Sequence, residues 1–380
     1  MIPLAIPDLS GKEAEYLGEC ISSTFVSSVG PFVDRFEQTL ARECGSDGAV
    51  ATCSGTTALH ASLWAAGVGP NDLVVLPAFT FIASANAISH CGASPWLVDI
   101  DAESWTLDPA ALERALETKT EADGDRRVHR QSGRRVAAIM PVYTLGTPAD
   151  MDRIVDIAER YGLPVVADGA AAIGASYRSR PIGQLGAQFS TLSFNGNKTL
   201  TTGGGGAILA RDKMLLDRIR HLTTTARTSR NYDHDEVGFN YRMTNLEAAV
   251  GCAQIERLDA LVSSKRRIRE VYDTAFRDVP GLGPFPQPVW ANSACWFSGI
   301  VCGNEAMPVT DACALLMDRG IDARPAWKPV HRQLPYLDAP REELTVSENI
   351  WARAITLPCS TAITDSELDQ VIAAVKDVLG

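Results

Sequence analysis

The first two-thirds of the chain alternate short apolar runs with helical patterns, and this alternation restricts the fold more than any other feature of the sequence. Residues 48–53, 73–76, 94–99, 136–142, 164–168, 187–193 and 206–210 read as strands, with helical patterns at 58–66, 148–161 and 213–221 among them. Several of these strands are apolar without a polar alternate, as expected of parallel strands covered on both faces. The pattern predicts an α/β fold: a large domain over residues 1–250 built on a mostly parallel, helix-covered sheet, followed by a smaller α+β domain over 251–380. A long helix over 246–276 is expected to lead into the second domain, which would hold a strand at 295–302 and helices at 309–319 and 365–379. The charged, glycine-containing stretch 121–134 reads as an exposed loop. The 380 residues and 46% hydrophobic content are enough for a core of this size.

Within this frame Lys198 stands in an unusual place for an ammonium. It follows the apolar strand that ends at Ser193 and precedes the glycine run Gly203 to Gly206. Burial disfavours the charged form of a lysine and frees its amine for Schiff-base chemistry with an aldehyde. Asp168 ends another strand at the carboxyl edge, where ligands of open α/β sheets bind, and could keep a pyridine nitrogen protonated. The segment Ser54-Gly-Thr-Thr-Ala-Leu-His60 runs from a strand into a helix, so Gly55, Thr56 and Thr57 are candidates to cradle a phosphate at the helix N-terminus. Phe81, at the next strand-to-helix junction, could stack on an aromatic ring, whereas Phe79 reads as core. An amine, a carboxylate, a phosphate cradle and an aromatic lid together point to pyridoxal phosphate. A dinucleotide site fits less well, because the glycine run precedes an apolar strand instead of opening a helix.

The order of these motifs, with Ser193-Phe-Asn-Gly-Asn-Lys198 and His234-Asp-Glu-Val-Gly-Phe-Asn-Tyr-Arg-Met-Thr-Asn245, resembles the DegT/DnrJ/StrS family of nucleotide-sugar aminotransferases almost end to end. The resemblance implies an aspartate aminotransferase-like fold of type I, with pyridoxal 5'-phosphate as cofactor. It implies Lys198 as the Schiff-base lysine, Asp168 as partner of the ring nitrogen and Phe81 as the stacking aromatic. Gly55, Thr56, Thr57 and Ser193 would contact the phosphate. Asn240 would reach the phosphate of a neighbouring subunit, so a homodimer with shared active sites is implied. Around Val26-Ser-Ser-Val-Gly30 and Leu222-Thr-Thr-Thr-Ala-Arg227 the chain is similar to enzymes of the legionaminic acid, bacillosamine and perosamine pathways. Those transfer an amino group, with L-glutamate as the expected donor, to C4 of a 4-keto-6-deoxy nucleotide sugar. The resemblance leans to a UDP-linked 2-acetamido-4-keto-2,4,6-trideoxyhexose, with GDP-4-keto-6-deoxymannose as the alternative. A non-catalytic sugar-nucleotide binder and a sugar dehydratase are rival readings; the second goes with histidine in place of the lysine. Two departures stand out: Ala171 where relatives carry Gln, His or Glu, and Tyr143 where they carry His.

A net charge of −11 argues against a nucleic-acid partner. Two anionic ligands then require local positive charge, for which Arg227, Arg230, Arg324, Lys328 and His331 are the candidates, with Ser28 beside them as a substrate contact. Nine scattered cysteines, with no Cys-x-x-Cys pair, and six histidines without a His-Glu-x-x-His pattern predict reduced thiols and no metal site. No apolar run is long enough to anchor the chain in a membrane, and the cytoplasm is the expected compartment.

Overall fold

The computed structural model describes residues 1–380. Seven strands form the central sheet: β1 (Ala49–Thr52), β2 (Leu73–Pro77), β3 (Ser94–Val98), β4 (Arg135–Ile139), β5 (Val166–Asp168), β6 (Phe189–Ser193) and β7 (Gly206–Ala210). Their order is β1-β7-β6-β5-β4-β2-β3, with single bridges Ile139 to Val165 and Val142 to Asp168 joining β4 to β5. Only β7 runs against the others, antiparallel to both β1 and β6. The other ladders among these seven strands are parallel, and the strand Arg126–His129 adds to β4 antiparallel.

Successive residues of these strands feed two different cores. Ala49, Ala51, Leu73, Val75, Ala207 and Leu209 join the core on one face, while Val50, Val74, Leu76, Ile208 and Ala210 join the core on the other. This follows from the two-residue period of a strand, and it is why strands such as β2 and β7 show no polar alternate in the sequence, whereas β6 carries the buried hydroxyls of Ser190 and Thr191. Helices Pro31–Cys44, Pro109–Lys119, Met151–Tyr161 and Asn245–Ile255 cover the first face, and Gly55–Ala65 and Ile82–His90 the second. The result is a three-layer α/β/α arrangement.

The C-terminal part carries a four-stranded antiparallel sheet of Leu282–Pro284, Ser298–Cys302, Ala354–Leu357 and Arg324–Pro325, in that order. Helices Leu258–Phe276, Val309–Asp318 and Asp365–Leu379 pack around it in a third core, which also takes in Ile2 and Leu4 from the N-terminus. That core reaches Phe79, Leu145 and Ala171 from the loops at the carboxyl edge of the large sheet, so the two parts meet where those strands end.

Three expectations differ from the structure. The helix over 246–276 is two helices, Asn245–Ile255 and Leu258–Phe276, separated at Glu256 and Arg257. The stretch 121–134 is largely an exposed hairpin, Thr120–Asp123 paired with Arg126–His129, in which exposed charged side chains flank a Gly124 turn at positive φ. The strand expected to reach residue 142 stops at Ile139, and residues 141–143 continue only as hydrogen bonds to Asp168.

The glycine run is required by close approach. A Cβ on Gly206 would lie 2.5 Å from the backbone carbonyl of Ser54 and 2.6 Å from the Gly55 nitrogen, so β7 leaves the loop pressed against the exit of β1. Gly206→Ala is expected to cost about 2 kcal/mol in folding stability, read as a lower urea midpoint at unchanged m-value.

Candidate active site

At the carboxyl edge of the sheet the ends of β1, β5 and β6 and the loop after β2 enclose a cavity of about 450 Å³, lined by Gly55, Thr56, Phe81, Asp168, Ser193 and Lys198 among others. Each reaches it because a strand ends there. Asp168 is the last residue of β5 and is 5% exposed. Its backbone is held between Pro141 and Tyr143, and its carboxylate accepts from Ser84 Oγ at 2.6 Å and from the Ala170 N–H at 3.0 Å. Ser84 is buried in the first turn of Ile82–His90 and also bonds Thr80 Oγ1 at 2.9 Å, so the carboxylate is fixed from two sides.

Lys198 lies in the turn after β6, with its backbone N–H donating to Asn195 O at 2.9 Å. The residue as a whole is half-buried, and its amine is the enclosed end. Burial lowers the amine pKa from the ordinary lysine range to about 7, against the attraction of the Asp168 charge, which raises it. The amine has no hydrogen-bond acceptor and sits 3.4 Å above the centre of the Trp296 ring.

The phosphate-sized end of the cavity is the N-terminal turn of Gly55–Ala65. Ser54 caps this helix reciprocally with Thr57: the Thr57 N–H donates to Ser54 Oγ and the Ser54 N–H to Thr57 Oγ1, both at 3.1 Å. Thr57, expected among the phosphate contacts, therefore has its hydroxyl engaged in the cap. Gly55 must lack a side chain, since a Cβ there would fall 2.7 Å from that of Ser193. The concave backbone, the helix dipole and the Ser193 and Thr56 hydroxyls suit a dianion. Phe81 is 54% exposed at the cavity mouth, with its ring 6.2 Å from that of Trp327. A carboxylate, an amine, an exposed aromatic face and an anion cradle around one cavity fit pyridoxal phosphate.

The remaining expected contacts divide. Arg324 lines the cavity and is paired with Asp322 at 3.0 Å. Lys328 is exposed outside it. His331 also lies outside it: the ring is buried, pairs with Glu348 and borders a separate recess with Arg332 and Arg341. Ser28 is half-buried in a loop clamped by Asn245, whose side-chain amide donates to Phe25 O at 2.8 Å and whose Oδ1 accepts from the Phe32 N–H at 3.0 Å. Arg227, Arg230 and Asn240 belong to a strap over residues 224–242 at the protein surface. Phe239 and Tyr241 stack there at 4.9 Å, Tyr241 bonds His60 Nδ1 at 3.0 Å, and its carbonyl accepts from the Cys53 N–H, so the strap is anchored to the end of β1. Arg227 is held within its own loop over the Tyr232 ring and borders, with Arg230 and Arg242, a recess that has no apolar lining.

Two cavity residues gave no signal in the sequence. Ser84 stands four residues after Thr80, the spacing that places both hydroxyls on one side of a starting helix, and this was its only mark. Trp296 comes from a segment 98 residues further along than Lys198 and carries no motif; it reaches the site through the third core.

With the cofactor removed, Lys198 should react with acetic anhydride with a midpoint near pH 7, about three units below ordinary lysines, because its neutral form predominates above that pH. Asp168→Asn removes a charge that favours the ammonium, so the midpoint should fall further. Peptide mapping of label against pH measures both.

Comparison with known proteins identifies the family. The profile of the DegT/DnrJ/EryC1/StrS aminotransferase family matches residues 7–376. The GDP-perosamine synthase of Caulobacter vibrioides is 37% identical over all of this chain and 98% of its own length. That of Escherichia coli O157:H7 is 34% identical over 99% of this chain and 98% of its own. The crystal structure of DesV from S. venezuelae, solved with a ketimine intermediate, superposes with a TM-score of 0.87 at 28% identity, covering 99% of this chain and 98% of that one. The chain belongs to the DegT/DnrJ/EryC1/StrS family of pyridoxal-phosphate-dependent aminotransferases.

Proposed function

We propose that this aminotransferase moves an amino group from L-glutamate to C4 of a 4-keto-6-deoxy nucleotide sugar, with Lys198 and Asp168 as its catalytic pair. The observation that carries the reading is the enclosed Lys198 amine, free of any acceptor, in a cavity shared with the fixed Asp168 carboxylate. Pyridoxal phosphate, when bound, supplies a carbonyl that exchanges amino groups and a ring that takes up electron density. Lys198 would hold it through Nζ, and the same Nζ would serve as the base and then the acid that moves a proton at the donor α-carbon. An amine near neutrality suits both directions of that transfer. Asp168, oriented by Ser84 and the Ala170 N–H, keeps a proton on the ring nitrogen. Gly55, Thr56 and Ser193 hold the phosphate, and Phe81 covers one face of the ring at the mouth.

The sugar enters from the side of Arg324. The strap carrying Arg227, Arg230 and Asn240 faces outward from its own chain, and we assign it to the active site of a second copy, where its guanidinium groups meet the nucleotide diphosphate. The active unit is then a homodimer. The sequence reading leans to a UDP-linked 2-acetamido sugar. The names of the Caulobacter and Escherichia relatives favour GDP-4-keto-6-deoxymannose, and we adopt the GDP-linked substrate.

An aminotransfer assay with glutamate against GDP-, UDP- and dTDP-linked 4-keto sugars decides the substrate, with highest kcat/KM expected for the GDP-linked ketone. Lys198→Ala should lower kcat by at least about 10⁴-fold and abolish the borohydride-trapped cofactor. Arg227→Ala should raise KM for the sugar nucleotide about tenfold with kcat little changed, as loss of a charged contact made in ground and transition states alike.

A further inference from the structure

Trp296 meets the catalytic amine from the side opposite to the usual expectation for a lysine partner: it offers a π face where a carboxylate or carbonyl would normally stand. Lys198 Nζ lies 3.4 Å from the ring centre, closer than any other cation–aromatic contact in the molecule, the next being Arg227 over Tyr232 at 4.2 Å. The ring is 4% exposed and is fixed at every available point. Its Nε1–H donates to Asn197 O at 2.7 Å, so the indole is tied to the residue immediately before the lysine. Its backbone N–H donates to Leu145 O at 3.0 Å, and its carbonyl accepts from the buried Lys265 ammonium at 3.0 Å. Phe297 stacks on it at 4.0 Å and 17°. The preceding Cys295 adopts φ 51°, a left-handed conformation that is unfavourable for a residue with a β-carbon and persists where surrounding contacts impose it.

We infer that Trp296 is the seat of the catalytic amine: its indole face stabilises the ammonium form of Lys198 after each proton uptake while offering no lone pair that would hold the N–H groups. A carboxylate in the same place would bind the ammonium tightly and keep it from swinging back. A saturated side chain would leave the cation with burial and no compensation. The quadrupole of an aromatic face lies between these, attracting charge without fixing direction. Because the indole N–H donates to Asn197 O, seat and amine are tied to the same loop. The neutral and charged forms of Lys198 are thereby kept close in energy, which a group acting alternately as base and acid requires.

This inference rests on Lys198 being the reactive amine, and the test separates the two. In cofactor-free protein, the pH midpoint of Lys198 acetylation is compared among the unsubstituted chain, Trp296→Phe and Trp296→Leu, with circular dichroism checking the fold and borohydride trapping of pyridoxal phosphate mapping the reactive lysine. The expected order of midpoints is Trp above Phe above Leu, with Trp296→Leu lower by about one pH unit and Trp296→Phe by about half of that. Leucine keeps the surroundings apolar, so the fall reports the lost π face, and phenylalanine serves if the leucine variant does not fold. A midpoint unchanged or raised in the substituted chains overturns the assignment of Trp296 while trapping at Lys198 continues to support the reactive amine. Trapping on a different lysine in the unsubstituted chain refutes the Lys198 reading instead.

Discussion

The chemistry proposed for this protein depends on an amine being largely desolvated without being given a salt bridge. Desolvation alone would drive Lys198 far below the ordinary lysine range, and an adjacent carboxylate in contact would hold it charged. The amine lies between these limits because burial lowers its pKa while the Asp168 charge across the cavity raises it, and the close contact it makes is with an indole face. Asp168 is itself turned toward its own task by Ser84 and the Ala170 N–H, so its charge is shared with donors that belong to the sheet edge.

That balance is possible only because the sheet is buried on both faces. Strands that feed two cores are mostly apolar, and their backbone polarity is released chiefly where they end. The ends of β1, β5 and β6 open at one edge, and there the capped helix start at Ser54, the Asp168 carboxylate and the Lys198 turn come within one cavity. The single reversed strand, β7, brings the glycine run back against Ser54 and closes the wall between cradle and lysine. The antiparallel C-terminal sheet covers the opening through the third core, which explains how a tryptophan from residue 296 comes to lie beneath a lysine from residue 198.

The parts of this arrangement that were legible in the sequence are those that a local pattern records. Short apolar runs marked most of the strands of the large sheet to within a few residues, since double-sided burial favours apolar residues on both faces, while β6 keeps Ser190 and Thr191. Asp168, Lys198, Gly55 and Ser193 stood out because each sits at a strand end beside small residues. Contacts made across the chain left no such record. Ser84 became a carboxylate donor through a meeting of residues 84 apart, and Trp296 through one between two sheets. The basic candidates were the least readable group, because charge by itself does not say where a side chain points: Arg324 faces the cavity, Lys328 lies outside it, and His331 turns away to Glu348. The break at Glu256 and Arg257 was missed for a related reason. Neither glycine nor proline marks it; Arg257 turns to a paired Asp8, a tertiary contact that overrides helical continuity.

An unprotonated primary amine is the form that attacks dissolved carbon dioxide and stray metabolic carbonyls, and burial leaves Lys198 with an appreciable share of that form at neutral pH. The property that prepares Lys198 for its proper partner therefore makes a freshly folded chain susceptible to carbamate formation and to unwanted adducts at that nitrogen. If Lys198 is the anchoring amine proposed above, occupation of its nitrogen by the cofactor aldehyde would also shield it from such adducts.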